Sequence, residues 1–164
     1  MLPVEKAREC AEMLVDRARA SGADAADAIY VGAESQSVQV RLGELEHVDR
    51  SEGEEVGLRV FVGQRSASVA SSDFSPEAMS ELVARAIAMA REAPEDPYAG
   101  LAPAKLIAHG PFPDIQSEDR SEDEPQSLRK RALTAEKAAL AVPGVTNSSG
   151  GSAAGSASTM ALAT

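Results

Sequence analysis

Tryptophan is absent from this 164-residue chain, tyrosine occurs twice and phenylalanine three times. The stacking platforms on which single-strand and RNA-binding folds rely are therefore missing. Basic residues are also scarce: 16 Lys and Arg stand against 26 Asp and Glu, a net charge of −10, which opposes attraction to DNA, RNA or an anionic bilayer. Cys10 is the only cysteine, which excludes an intrachain disulfide, a zinc ribbon and C-x-x-C redox chemistry, and makes a reducing, cytoplasmic compartment the expectation. No stretch approaches the ~20 apolar residues of a membrane span. The opening MLPVEKAREC has no basic region leading into an apolar one, so neither a signal peptide nor a transmembrane helix is expected.

Large apolar side chains are few as well. Alanine is nearly as frequent as Leu, Ile, Val and Phe combined, so a core must be built from small residues packed closely. Pro3, the spacing of Val4, Ala7, Cys10, Ala11, Leu14, Val15 and Ala18, and Gly22 as a C-terminal stop predict a helix from about Pro3 to Ser21, with Cys10 as a small buried hydrophobe on its apolar stripe. From Ala26 the texture alternates. Ala28, Tyr30, Val38, Val40 and Leu42 predict one long or bent strand, Gly43-Glu44 a turn, and Leu45 to Arg50 a returning antiparallel strand. Ser51 to Glu55 reads as a turn by composition, with strands over Val56–Val62 and Ala67–Ser71 joined across Gly63-Gln64. Asp73 or Ser75 caps a second helix ending near Glu92, with Pro76 at its first position and Met79, Leu82, Val83, Ala86, Ile87 and Ala90 as its stripe.

Six of the nine prolines and the acidic run Ser117 to Glu124 lie between Ala93 and Gln126, a composition that predicts a surface excursion and the first site of proteolytic nicking. Ser127, read as a capping residue, opens a third helix through Leu128, Ala132, Ala135, Ala139 and Val142, stopped by Pro143-Gly144. Val145 to Ser158 suits either a flexible loop or a strand packed closely against other backbone. Thr159 to Thr164 alternates like a strand, which suggests the amino-terminal piece of a longer protein and weak self-association of the piece through that edge. The fold class is α/β of the α+β type, a mainly antiparallel sheet with helices packed on it. Its organisation is 1–92 as helix, sheet and helix, 93–126 as excursion, and 127–164 as third helix and the start of a strand region.

No motif in this chain carries chemistry. His47 and His109 lack a second imidazole one helical turn away, and His47 with Glu44, Glu46 and Asp49 reads as a solvated strand, because alternation puts Glu46 on the opposite face. Gly150-Gly151-Ser152-Ala153-Ala154 has alanine where a nucleophile elbow needs its last glycine, and Ser127-Leu128-Arg129-Lys130 lacks the partner motifs of an S-x-x-K enzyme. Gly57 and Gly63 bracket a strand rather than a phosphate loop. The expected catalytic, cofactor-binding and metal-binding residues are none.

Five stretches read together carry a resemblance: GADAADAIYV (Gly22 to Val31), SVQVRLGELEHVDRSE (Ser37 to Glu52), VGLRVFVGQRSASVASSDFSPEAM (Val56 to Met79), EDPYAGLA (Glu95 to Ala102) and GVTNSSGGSAAGSASTMALAT (Gly144 to Thr164). In this order and wording they resemble the amino-terminal region of the TldD/PmbA family, also labelled modulators of DNA gyrase, and EDPYAGL tilts the likeness toward its PmbA (TldE) branch. Ser149 departs from the acidic residue expected after Asn147-Ser148. The resemblance implies an N-terminal α/β domain ahead of a larger β-rich one. It also implies a zinc-free scaffold or interaction role beside a TldD-like partner subunit, whose H-E-x-x-x-H helix binds the zinc, in a protease that processes unfolded peptides. Two alternatives stand beside it: the N-terminal domain of a zinc peptidase whose site lies beyond Thr164, and a stand-alone acidic adaptor. A link to gyrase would run through protein contacts or proteolysis, since the charge keeps the chain off DNA.

Overall fold

The computed structural model describes residues 1–117 and 124–164, so the acidic run that begins at Ser117 lies almost wholly outside the described residues. Helix α1 (Val4–Ala20) starts after Pro3 and ends ahead of Gly22, whose φ of +102° is the left-handed conformation that glycine adopts freely. Strands β1 (Ala25–Arg41), β2 (Glu44–Val62) and β3 (Arg65–Ser71) follow, then α2 (Pro76–Glu92), α3 (Pro125–Leu140) and β4 (Gly151–Ala163). The four strands form one antiparallel sheet in the order β3-β2-β1-β4. The chain divides into two compact units, one of Met1–Gly32, Gly53–Phe112 and Ser158–Thr164, the other of Ala33–Glu52, Pro113–Ala157, and β1, β2 and β4 each contribute residues to both.

In the first unit, the 2.0-residue period of the strands and the 3.6-residue period of the helices converge on one core. Ala11, Leu14, Val15 and Ala18 of α1 meet Met79, Leu82, Val83, Ala86, Ile87 and Ala90 of α2 over Ala26, Ala28, Val56, Leu58 and Val60 of the sheet. Alanine supplies much of it, which lets helix and strand backbones approach closely. Cys10 is half-buried and packs against this core rather than within it, and desolvation raises its thiol pKa. A smaller cluster gathers Ala7, Ala161 and the fully buried Tyr30, whose ring meets that of Phe74 at 5.9 Å and whose hydroxyl accepts from the Leu2 amide at 2.8 Å.

Ser75, not Asp73, is the residue that caps α2. Its hydroxyl accepts from the Ala78 amide at 3.3 Å, Pro76 follows at the first position, and Asp73 in turn accepts from the Ser75 amide at 2.8 Å. Ser75→Ala should cost about 1 kcal/mol, read as a lowered midpoint in urea, while Ser72→Ala, at an exposed position three residues earlier, should leave the midpoint in place.

In the second unit, Leu128 and Ala132 of α3 pack on Val38 and Val40 of β1, flanked by Leu133 and Ala153. Three sequence expectations fail here or at its margin. The turn expected at Ser51 to Glu55 does not form, because β2 runs unbroken from Glu44 to Val62. Charged side chains disfavour a strand only where a face must be buried, and Ser51, Glu52 and Gly53 are exposed. The hairpin turn is Leu42-Gly43 rather than Gly43-Glu44, with φ of +50° and +84°, the two positive values of a type I′ turn. Ser127 does not cap α3; it lies within the first turn of a helix that Pro125 opens, behind Glu124, and no side chain caps it. The Ser, Gly and Ala stretch after Pro143 realises the second of its two expected forms. It enters β4, whose end, Thr159 to Ala163, lies in a strand beside β1 at the edge of the sheet.

Candidate interaction surface

Alternation gives the strands of the first unit a second face, turned away from α1 and α2. Asp27 and Ile29 of β1, Gly57 and Arg59 of β2, Ser68 and Ala70 of β3 and Leu162 of β4 line an open groove on it. Leu162 is two-thirds exposed and its neighbour Met160 is also exposed. Gly57 has a packing reason: a Cβ there would come 3.2 Å from Ile29 Cγ2, so glycine lets the groove floor close up.

A charged pair crosses this largely apolar floor. Arg59 Nε donates to Asp27 Oδ1 at 2.9 Å and the guanidinium Nη2 to Oδ2, a two-pronged pair across adjacent strands. The guanidinium carbon stands 5.2 Å from the centroid of the Phe61 ring, so the cation is held by a carboxylate and a π-face together. Hydrogen bonding to Asp27 raises the Arg59 pKa against the opposing effect of desolvation. The arrangement fixes a donor-rich, planar group in an apolar groove. It can hold a docked backbone carbonyl or carboxylate.

In the second unit the turn Leu42-Gly43 is clamped from α3. Glu136, the one charged residue that is buried among the described residues, accepts from the Leu42 amide at 2.8 Å and the Gly43 amide at 2.9 Å, one bond to each carboxylate oxygen. The Gly43 amide, with help from Leu42, Ser148 and Arg41, lowers its pKa below the ordinary 4.5 although desolvation pulls the other way.

The residues weighed for chemistry in the sequence remain apart. His47 Nε2 lies 2.7 Å from the Asp49 carboxylate on an exposed strand, and His109 stands exposed in the segment after the short 3-10 turn Ala104–Leu106. Among the described residues no three His, Cys, Asp or Glu side chains converge on a metal position. Ser127 and Lys130 sit on α3, and Ser152 lies in strand β4 rather than on a strand-to-helix turn. Among the described residues no helix is long and apolar enough to cross a membrane.

Sequence reasoning missed both Asp27–Arg59 and Glu136. The first pair is 32 residues apart and carries no local signature. Glu136 did leave a signal, since it continues the Leu128, Ala132 stripe by one more helical turn, and a carboxylate on a buried stripe asks for a partner.

Residues 26–90 match the family described as PmbA/TldA metallopeptidase domain 1. Metalloprotease PmbA of Escherichia coli O157:H7 is 35% identical over 91% of the chain, and the PmbA homolog of Haemophilus influenzae Rd is 31% identical over 90%. The chain spans about a third of these curated relatives, 34% and 33% of their lengths. In solved structures, TldE from Thermococcus kodakarensis superposes with a TM-score of 0.71 at 17% identity, covering 92% of this chain and 34% of its own. A candidate modulator of DNA gyrase from Bacteroides thetaiotaomicron does so at 0.76 and 18%, covering 96% of this chain and 35% of its own. At such identities these two speak for the fold alone.

Proposed function

Because the chain belongs to the PmbA/TldD metallopeptidase family and corresponds to the amino-terminal region of its PmbA branch, we propose that it is a scaffold and interaction domain of a zinc-free subunit in a TldD/PmbA-type protease. The observation that carries the reading is the continuous likeness to PmbA over nearly the whole chain, joined to an open groove crossed by a fixed ion pair. Such a surface suits protein contact better than bond cleavage. On this reading the partner is a TldD-like subunit that supplies the zinc, the substrates are unfolded peptides, and the compartment is the reducing cytoplasm that a lone Cys10 suits.

Co-purification tests it. The full chain, mixed with a TldD-like subunit, should elute with it as one species, and Arg59→Ala should weaken the association by about tenfold or more through loss of the groove's fixed cation. The chain alone should hydrolyse no unfolded casein and hold no stoichiometric zinc after dialysis. Turnover by the chain alone, with zinc near one per molecule, would replace this reading with that of an enzyme in its own right.

A further inference from the structure

β3 pairs with β2 only from Val56 to Val62, opposite Ser71 to Arg65. The hairpin half of β2, Glu44 to Glu52, has β1 on one side and, among the described residues, no strand on the other. Every residue in that half is exposed. Its outward N–H and C=O groups have no strand partner among the described residues, the condition in which an extended chain can add as a further strand.

Charge decides which chain. Glu44, Glu46, Asp49 and Glu52 face a single guanidinium, Arg50, within the stretch. A second copy would bring the same carboxylates against themselves on a chain of net charge −10, and like charges opposite one another oppose the pairing. A neutral strand gains the ladder but adds no cation to the exposed contacts that these carboxylates make with His47, Arg50, Gln39 and Arg41. We propose that the Glu44–Glu52 edge docks a basic extended segment of a partner polypeptide as an added β-strand, with Lys or Arg side chains alternating along it.

The local pairs do not stand in the way. His47 with Asp49 at 2.7 Å, Arg50 with Glu52 at 3.4 Å and Gln39 with Glu46 at 2.8 Å are all exposed. Exposed pairs of this kind are worth little and exchange readily for a better-placed cation. The same carboxylates therefore reject acidic strands and select basic ones, which is specificity by exclusion as much as by attraction.

The test uses the full chain and three probes: a nine-residue peptide alternating Lys and Val, its Glu and Val counterpart, and spermine as a cation with no peptide backbone. The Lys peptide should bind at least about tenfold more tightly than the Glu peptide. It should also slow hydrogen exchange at every second amide between Glu44 and Glu52, the ones directed to the open edge, while spermine slows none of them. The triple variant Glu44→Lys, Asp49→Lys, Glu52→Lys, confined to exposed positions, should reverse the preference between the two peptides. Equal binding of both peptides, protection by spermine as strong as by the Lys peptide, or protection outside this stretch would overturn the proposal. No zinc and no partner subunit enters the assay, so its failure leaves the protease-subunit reading standing, and the reverse holds too.

Discussion

Adding a single methyl group at Gly151 should destabilise the protein by about 3 kcal/mol. A Cβ at this position would stand 2.3 Å from the carbonyl oxygen of Ala132 and 3.0 Å from Glu136 Cβ. The first obstacle is helix backbone, which cannot rotate aside as a side chain would. Relief requires α3 to lift from β4, and that would also pull Leu128 and Ala132 from Val38 and Val40. Gly151→Ala should therefore lower the urea midpoint and expose the second unit first, seen as faster amide exchange in α3. Ser152→Ala, one position along and exposed, should leave the midpoint within error. An unchanged midpoint for Gly151→Ala would mean that α3 does not approach β4 as closely as the structure has it.

The second large effect belongs to Glu136. Its carboxylate answers two consecutive amides and holds Leu42 in a left-handed conformation that a residue with a Cβ adopts at a cost. Glu136→Gln keeps the size but turns an N–H2 group toward one of those amides, where an acceptor is needed. Exchange at Leu42 and Gly43 should accelerate by at least about tenfold. The pH dependence has a definite sign. The carboxyl is held below its ordinary value of 4.5, so its contribution is fully present above that value and is lost as pH falls through the folded-state pKa. The stability gap between wild type and Glu136→Gln should be widest at neutral pH and shrink on acidification below 4.5. A gap that stays constant down to the acid limb would remove Glu136 from the clamp.

Legibility in the sequence followed how local each cause is. α1 and α2 were readable because stripe, cap and stop lie within one element: Pro3 and Gly22 bracket the first, Ser75-Pro76 opens the second. The strands of the first unit were readable because one face must be buried, so Ala26, Ala28 and Tyr30 alternate with Asp27 and Ile29. Ser51 to Glu55 gave no such contrast, since Ser51, Glu52, Gly53 and Glu55 are exposed, and their charge passed for a turn. Gly150 and Gly151 were ambiguous for a different reason. Small residues serve a flexible loop and a crowded crossing equally well, and only the position of α3 tells them apart. Family likeness came from the wording of long stretches, whereas Asp27–Arg59 depends on strand register and had no trace in either segment.

The alanines of the first unit's core bear on how the protein responds to temperature. Ala11, Ala18, Ala23, Ala26, Ala28, Ala86 and Ala90 are all buried there. An alanine gives up no rotamer freedom on folding, and it hides little apolar area in return. Since the heat-capacity increment of unfolding scales with the apolar area exposed, a core of this kind should yield a smaller increment per residue than one of leucine and phenylalanine. Its stability curve should be correspondingly flat, with a modest maximum, a gradual decline on warming, and cold unfolding displaced to lower temperature.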